Sequence, residues 1–437
     1  MKQTKLSAGT WTAVILFGLI GQIAWSIENM EFNLFLFNYI GGTTTDIARM
    51  VAWSALVSTL TTLVMGIVTD RLGHRKEFLC YGYVIWGVMT MLFALISRER
   101  TVSMFPSLTA AQVLARTAFM VILMDCIMSF FGSAANDASF NAWVTESTDE
   151  TNRASVEGVL NVFPLLSMLI VAGASGIFVE RAGWPAFFLL TGGVVSVCGL
   201  LGLLFVKEPE HISGERMNFI QSVIYGFRPS VMKENRDFYV TLLALLIFNT
   251  AVQIFMPYLL IYLEKTLQFD TMTYSIVMAV VILLASVVSV IIGRITDNIG
   301  HEKLARWSVF LFAVGLMLAS MVRIPVLFII AGTIMMSGYV SILVIFTSAL
   351  RDYTPVEHVG MFQGIRLCAY VLVPMVVGPA IGSFLINHSD AGTYVNGYGE
   401  TVNLPVPAIF VAAAAVSLFI LLPASRLFKA ETKEGEE

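Results

Sequence analysis

Long apolar runs alternate along the chain with short polar connectors, and each run is about as long as an α-helix needs to cross ~30 Å of hydrocarbon. They predict twelve spans, at 10–38, 47–68, 77–97, 109–135, 156–178, 185–206, 239–264, 271–293, 306–322, 325–349, 361–386 and 405–423. Alternation over ~10 residues, the mark of a membrane barrel strand, does not occur. The expected fold class is therefore all-α, a polytopic membrane protein of twelve transmembrane helices. Composition agrees: 57% of the 437 residues are hydrophobic and 13% charged, the latter about half the share of a soluble domain. The first run exceeds signal-peptide length and reads as a retained helix.

Two connectors repeat. "GIVTDRLGHRKEF" at 66–78 aligns with "GRITDNIGHEKLARW" at 293–307, pairing Gly66, Asp70 and Gly73 with Gly293, Asp297 and Gly300. "ESTDETNRASVEG" at 146–158 aligns with "DYTPVEHVGMFQG" at 352–364, pairing Glu146 with Asp352. Matching connectors after spans 2 and 8 and after spans 4 and 10 imply two six-helix bundles in the same orientation, related by an axis along the membrane normal. The expected division is 1–206, a cytoplasmic linker at 207–238, and 239–437. In the linker, Ile220, Val223, Ile224 and Phe227 have the spacing of one apolar helical face, which predicts a short interfacial helix. Of the 26 Lys and Arg, 18 fall on the side that holds both termini and 6 on the other, which makes that side cytoplasmic. A cell (inner) membrane location follows.

The pattern Gly-x-x-x-Asp-Arg-x-Gly-x-Arg-Lys after span 2, with a degraded copy after span 8, resembles the signature loop of the major facilitator superfamily over the whole chain. That resemblance implies alternating access by a rocker switch, with helices 1, 4, 7 and 10 around a central cavity. "NDASFNAWVTESTDETNR" at 136–153 is similar to the end of helix 4 in the glycoside-pentoside-hexuronide cation symporters, a group that touches the sucrose–proton symporters. On that register Asp137 takes the place of the helix 4 cation-site aspartate. The chain departs from that group in span 2, where 53–68 offers only Ser and Thr as polar residues; this favours proton coupling or uncoupled transport over a sodium site.

The connectors suggest gating. Gly73 can supply a backbone turn that other residues avoid. Asp70 would meet the N-terminus of span 11, and Asp297 that of span 5, as a carboxylate at a helix dipole. Arg71, Arg75 and Lys76 could reach Glu146, Asp149 or Asp352, and Arg153 joins the same set. A cytoplasmic clamp built from Asp70, Arg71, Arg75, Glu146, Arg153, Asp297 and Asp352 would favour the outward-facing state.

Ionisable residues inside a membrane are functional candidates by default. Glu28 and Glu31 lie in span 1, Arg116 and Asp125 in span 4, Asp137 and Glu157 near the cytoplasmic ends of spans 4 and 5, and Arg366 in span 11. Asp137, Asp125 and Glu28 are the expected coupling carboxylates. Arg116 and Asp125 are nine residues apart, about 180° around a helix, so only one can face span 1, where Arg116 could pair with Glu28 or Glu31. Gln22, Trp25 and Asn29 form a polar and aromatic stripe on span 1, of the composition a sugar site needs. Asn249, Gln253 and Tyr258 on span 7 and Ser337, Tyr339 and Ser341 on span 10 offer comparable groups. Gln22, Trp25, Asn29, Arg116, Asn249, Gln253, Tyr258 and Tyr339 are the candidate substrate contacts; interhelical packing accounts for such amides and hydroxyls equally well.

The four cysteines fall in spans at unrelated spacings, against a disulfide framework or metal site. No phosphate-binding Gly-Lys-Ser/Thr loop is present, so ATP is not used directly, and no nucleophile, base and acid occur at an enzymatic spacing. The expectation is a secondary transporter of a polar small molecule, a sugar or glycoside, coupled to a proton or sodium gradient. It would work as a monomer in the lipid bilayer, with no cofactor, no metal and no nucleic acid partner. The alternatives are a carrier of amphipathic lipids or drugs, and a non-transporting membrane sensor.

Overall fold

The computed structural model describes residues 6–148, 152–208, 225–299, 301–354, 359–389 and 392–434. The chain divides into two units, Met1–Arg216 with Asn396–Glu400, and Met217–Val395 with Thr401–Glu437.

In the first unit, α1 (Ala8–Leu34) is capped by the Ser7 hydroxyl and runs into a π-helical turn at Phe35–Tyr39. α2 (Thr44–Leu72) opens on a capping box in which Thr43 and Asp46 satisfy each other's backbone N–H groups, a reciprocal use of two orphan donors. It ends at Gly73 with φ 68°, the left-handed conformation expected of that glycine. α3 (Arg75–Leu92) follows at once. A seven-residue helix that the hydrophobic pattern does not announce, α4 (Arg98–Met104), precedes α5 (Ala110–Gly132), which carries its own capping box from Thr109 and Gln112. Span 4 then widens into a π-helical run, Ser133–Phe140, and closes as α6 (Asn141–Ser147). After α7 (Arg153–Leu160), spans 5 and 6 run together as α8 (Phe163–Phe205). Gly183, at φ 80° and ψ 165°, and Pro185 break α8 between the two spans. That merger is why eleven helical stretches, rather than twelve, are long and apolar enough to cross a membrane among the described residues.

The second unit contains α9 (Pro229–Glu234), α10 (Arg236–Phe255), α11 (Thr271–Ile299), α12 (His301–Met321), α13 (Pro325–Asp352), α14 (Val359–Leu367), α15 (Val373–Asn387), α16 (Ala408–Leu418) and α17 (Leu421–Glu434). Between α15 and α16 lie two short antiparallel strands, Thr393–Val395 and Thr401–Asn403, paired Tyr394 to Val402. Among the described residues the regular structure is otherwise helical. Pro164, Pro257 and Pro374 all sit where an α-helix starts or is interrupted: at the head of α8, in a 3₁₀ turn at Met256–Tyr258, and at the head of α15 after a π-helical turn at Cys368–Leu372. A proline lacks the N–H that an α-helix interior requires. Ile220, Val223 and Ile224 of the anticipated interfacial helix lie outside the described residues.

Candidate functional site

A cluster of buried polar groups in the first unit lies where α1, α2, α3 and span 4 meet. On α2, Ser54 and Ser58 are four residues apart. On span 4, Asp125, Ser129 and Ser133 repeat at the same interval. Residues at i and i+4 lie on one helical face, so the two faces meet as rungs. The Ser54 and Ser129 hydroxyls are 2.9 Å apart, and those of Ser58 and Ser133 are 2.6 Å apart. Glu28 of α1 enters at the first rung, where its Oε1 accepts from Ser54 at 2.7 Å and from Ser129 at 3.0 Å. Glu28 and Asp125 are 8% and 1% exposed, and Asp125 is close enough to Glu28 for their charges to interact. Glu28 Oε2 and Asp125 Oδ1 are buried without a hydrogen-bond partner.

One π-helical run further on, Asp137 Oδ1 accepts from Asn136 Nδ2 at 3.2 Å. Asn136 is held in turn, because its Oδ1 accepts from the Tyr83 hydroxyl of α3 at 2.7 Å. Gly21 of α1 makes this approach possible: a Cβ there would stand 2.4 Å from both Asn136 Oδ1 and Tyr83 Oη. Trp25 packs on Trp86 at 5.1 Å, and Tyr83 on Trp86 at 5.3 Å. The Trp25 indole N–H is buried near Asp137 without closing a hydrogen bond of normal geometry. π-helical segments inside α-helices recur at functional sites; here the widened turn sets the direction of Asn136 and Asp137, which a uniform 100° per residue does not describe.

The choice between Arg116 and Asp125 falls to Asp125. Arg116 is exposed, its guanidinium 4.6 Å over the Phe105 ring, and among the described residues no ion pair joins it to Glu28 or Glu31. Glu31 instead accepts from Ser175 of α8 at 2.5 Å. Of the span 1 stripe, Gln22 and Trp25 are half-buried, and Asn29 is exposed with its Nδ2 donating to the Trp25 carbonyl at 2.8 Å. The serines of α2, of which Ser54 holds Glu28 and Ser58 meets Ser133, are absent from the expected site. Their signal in the sequence is Ser-x-x-x-Ser on span 2 facing Asp-x-x-x-Ser-x-x-x-Ser on span 4.

In the second unit, Asn249 and Gln253 are half-buried on α10, and Asn249 Nδ2 is buried with no partner. The Tyr258 hydroxyl is committed to the Pro379 carbonyl at 2.7 Å. Tyr339 stacks at 5.2 Å from Phe248, and the Ser337 and Ser341 hydroxyls return to carbonyls of their own helix.

At the connector, Arg75 is buried and donates from Nη2 to Glu146 Oε1 at 2.8 Å and from Nε to Oε2 at 3.2 Å, while its Nη1 reaches Thr69. Arg75 and Glu146 both belong to the first unit, so this pair ties α3 to α6. Glu208, from the chain after α8, caps α3 by accepting the backbone N–H groups of Arg75 at 2.6 Å and Lys76 at 2.9 Å, a carboxylate at a helix N-terminus. Arg71 is exposed. The side chains of Asp70, Arg153, Asp297 and Asp352, and Asp149 altogether, lie outside the described residues. At the opposite end of the first unit, Arg98 donates to Glu400 at 2.6 Å and 3.2 Å and lies 3.9 Å over the Tyr398 ring. Burial would raise the Glu400 carboxyl, but hydrogen bonds from Arg98 and Asn396 and the Arg98 charge hold it below its ordinary 4.5.

Comparison with known proteins places this helical architecture, with its paired connectors, in a family. The Major Facilitator Superfamily model matches residues 10–295 and again 241–437, and the chain belongs to that family. A Staphylococcus aureus (strain COL) protein provisionally named a proline/betaine transporter is 23% identical over 294 residues, 62% of this chain and 57% of that protein. The match thus spans little more than half the length of that relative. The Bacillus subtilis (strain 168) MFS-type transporter YfiU, itself uncharacterised, is 30% identical over 146 residues, 33% of this chain and 25% of that protein. Among solved structures, the nucleoside transporter NupG superposes with a TM-score of 0.67 at 11% identity, covering 97% of this chain and 100% of that one. A bacterial homolog of the human lysosomal transporter Spinster, inward-facing and unoccupied, gives 0.66 at 12% identity, covering 98% of each. At such identities the likeness is one of fold.

Proposed function

We propose that this chain is a secondary carrier of a small polar molecule across the cell membrane, coupled to a proton gradient through the carboxylates of its first unit. One observation carries the reading. Glu28 and Asp125 are buried acids, Glu28 held by two serine hydroxyls, and among the described residues no Lys, Arg or His pairs with them. An acid buried that way needs a cation, and a proton is the one that fits without further ligands. Asp137, half-buried at the π-helical run, is a third acceptor that binding and release can reach. The similarity of 136–153 to the glycoside symporters supports the same assignment for Asp137.

The stripe of Gln22, Trp25 and Asn29 on α1 supports a sugar or glycoside as the cargo: amides fix hydroxyls and an indole stacks on a ring face; within the second unit, the amides Asn249 and Gln253 offer the same chemistry. A second reading, a small zwitterion of the proline or betaine kind, is favoured by the name of the Staphylococcus relative and by the absence of a basic partner for the acids. The experiment is uptake into proteoliposomes of a labelled glycoside panel alongside proline and betaine, under separately imposed proton and sodium gradients. Proton-driven accumulation that Asp137→Asn abolishes is the expected result. Accumulation driven by sodium alone would replace the coupling ion, and no accumulation of any member would sink both cargo readings. A gating role for Arg75 and Glu146 is part of the same proposal, with both termini cytoplasmic and the monomer as the working unit.

A further inference from the structure

Glu28 and Asp125 stand on different helices, and each keeps one buried carboxylate oxygen without a partner, Oε2 and Oδ1 respectively. Beside both is the Ser54 hydroxyl of α2, which donates to Glu28 Oε1 at 2.7 Å and lies near enough to Asp125 to interact with it without closing a hydrogen bond of normal geometry. We propose that Glu28 and Asp125 form a single proton-sharing site joined through the Ser54 hydroxyl, with Ser54 as its positioning residue; the proposal rests on the proton-coupled reading above.

The chemistry follows from what a hydroxyl can do. Serine has one O–H to donate and two lone pairs to accept with, so Ser54 can serve only one of the two acids as donor at a time. With Glu28 ionised, Ser54 and Ser129 both donate into Oε1, as the geometry records. With Glu28 protonated, that oxygen no longer needs two donors. The Glu28 O–H can pass its proton to the Ser54 oxygen while the Ser54 proton passes to Asp125. Bonds to hydrogen break at Glu28 and Ser54 and form at Ser54 and Asp125; serine ends neutral, and the negative charge has moved from Asp125 to Glu28. Ser129, 2.9 Å from Ser54, accepts or donates to keep the oxygens satisfied through the exchange.

The other titratable groups facing this site are Asp137 and Cys126 on span 4 and Tyr83 on α3. The Tyr83 hydroxyl is committed to the Phe17 carbonyl and to Asn136. Asp137 stands twelve residues beyond Asp125 on span 4; its charge acts on Glu28, but its own hydrogen bond is to Asn136.

The test needs no substrate. Infrared difference spectra of the full chain in lipid vesicles, taken as pH is stepped, report protonated carboxyl groups, and Glu28→Gln and Asp125→Asn assign the two bands. In the wild type the two acids should titrate as one coupled unit, so that Asp125→Asn moves the midpoint of the Glu28 band by about one pH unit or more. Ser54→Ala should split the pair into two independent transitions, and Ser54→Thr, which keeps the hydroxyl, should restore the shared one. A Glu28 midpoint that ignores Asp125→Asn would overturn the proposal, and this arm decides the matter even if Ser54→Ala does not fold. A shared transition in a protein that accumulates nothing under a proton gradient would sink the transport reading and leave the paired site standing.

Discussion

The first unit buries three carboxylates within its membrane helices, Glu28, Glu31 and Asp125, and bends span 4 through eight π-helical residues to place a fourth, the half-buried Asp137. The second unit repeats the connectors of the first, yet among its described residues no acid is buried. Its candidate polar groups include Asn249, Gln253, Tyr258 and Tyr339, and its counterpart of span 4, α13, runs unbroken from Pro325 to Asp352. Common ancestry of the halves would preserve packing and turns, while the chemistry that needs a buried charge has to exist only once. On the proposed reading, the difference separates a coupling half from a half that supplies neutral hydrogen-bonding groups.

The largest effect expected from breaking this contrast comes from Asp137→Asn. Gradient-driven accumulation should fall to background while downhill exchange of the same cargo persists, whereas Asn249→Ala in the second unit should weaken apparent affinity and leave the gradient dependence in place. Initial rates of uphill uptake and of counterflow, measured side by side, check both. Next comes Arg75→Ala, which removes one member of a nearly buried ion pair and strands Glu146. A loss of ~3 kcal/mol is expected, at the low end for a broken buried pair because Glu146 retains some solvent contact. Denaturation in detergent should show it, with Glu146→Gln milder.

Smaller still, Gly21→Ala should cost about 1–3 kcal/mol, the range for overpacking, because the new methyl meets Asn136 and Tyr83 at 2.4 Å. It should also disturb the pH profile of uptake. Gly378→Ala, whose methyl would come 2.5 Å from Gln253 Cβ, should destabilise similarly without touching that profile, which sharpens the division between the units. The smallest effect concerns Glu400. Its carboxyl is held below the ordinary value, so its contribution is present above about pH 4.5 and is lost as acid carries the pH through the lower folded value. Melting curves of wild type and Glu400→Gln should converge on acidification; curves that stay equally far apart would show that the Arg98 pair carries no stability.

Helix count, the paired connectors and the acids themselves were legible in the sequence because length, charge and hydropathy act locally along a chain. Gly73 turned as its φ requires, and Arg75 found Glu146 among the partners within reach. What escaped was relational. The serines of α2 looked like generic filler in "WSALVSTLTTLVMGIV", since nothing in span 2 alone says that Ser54 and Ser58 face the Asp125 stripe. The direction of Asp137 was likewise unavailable, because a π-helical run changes the angle per residue without a compositional mark. Arg116 shows the converse. Its place in span 4 suggested an ion pair, but it lies near the helix end beside Phe105, where its charge stays solvated.

The widened turn at 133–140 also changes what kind of mutation the site can register. A π-helical turn holds a residue that an α-helix spanning the same rise would omit. Deleting one residue there is expected to close the turn while α6 keeps its face, so Glu146 would stay against Arg75 and Asn136 and Asp137 would be re-aimed. A shortened chain that melts like the parent but has lost its proton dependence would show this. At this one place in the chain, an insertion or deletion, the change most often ruinous inside a helix, would act as a specific edit of the chemistry.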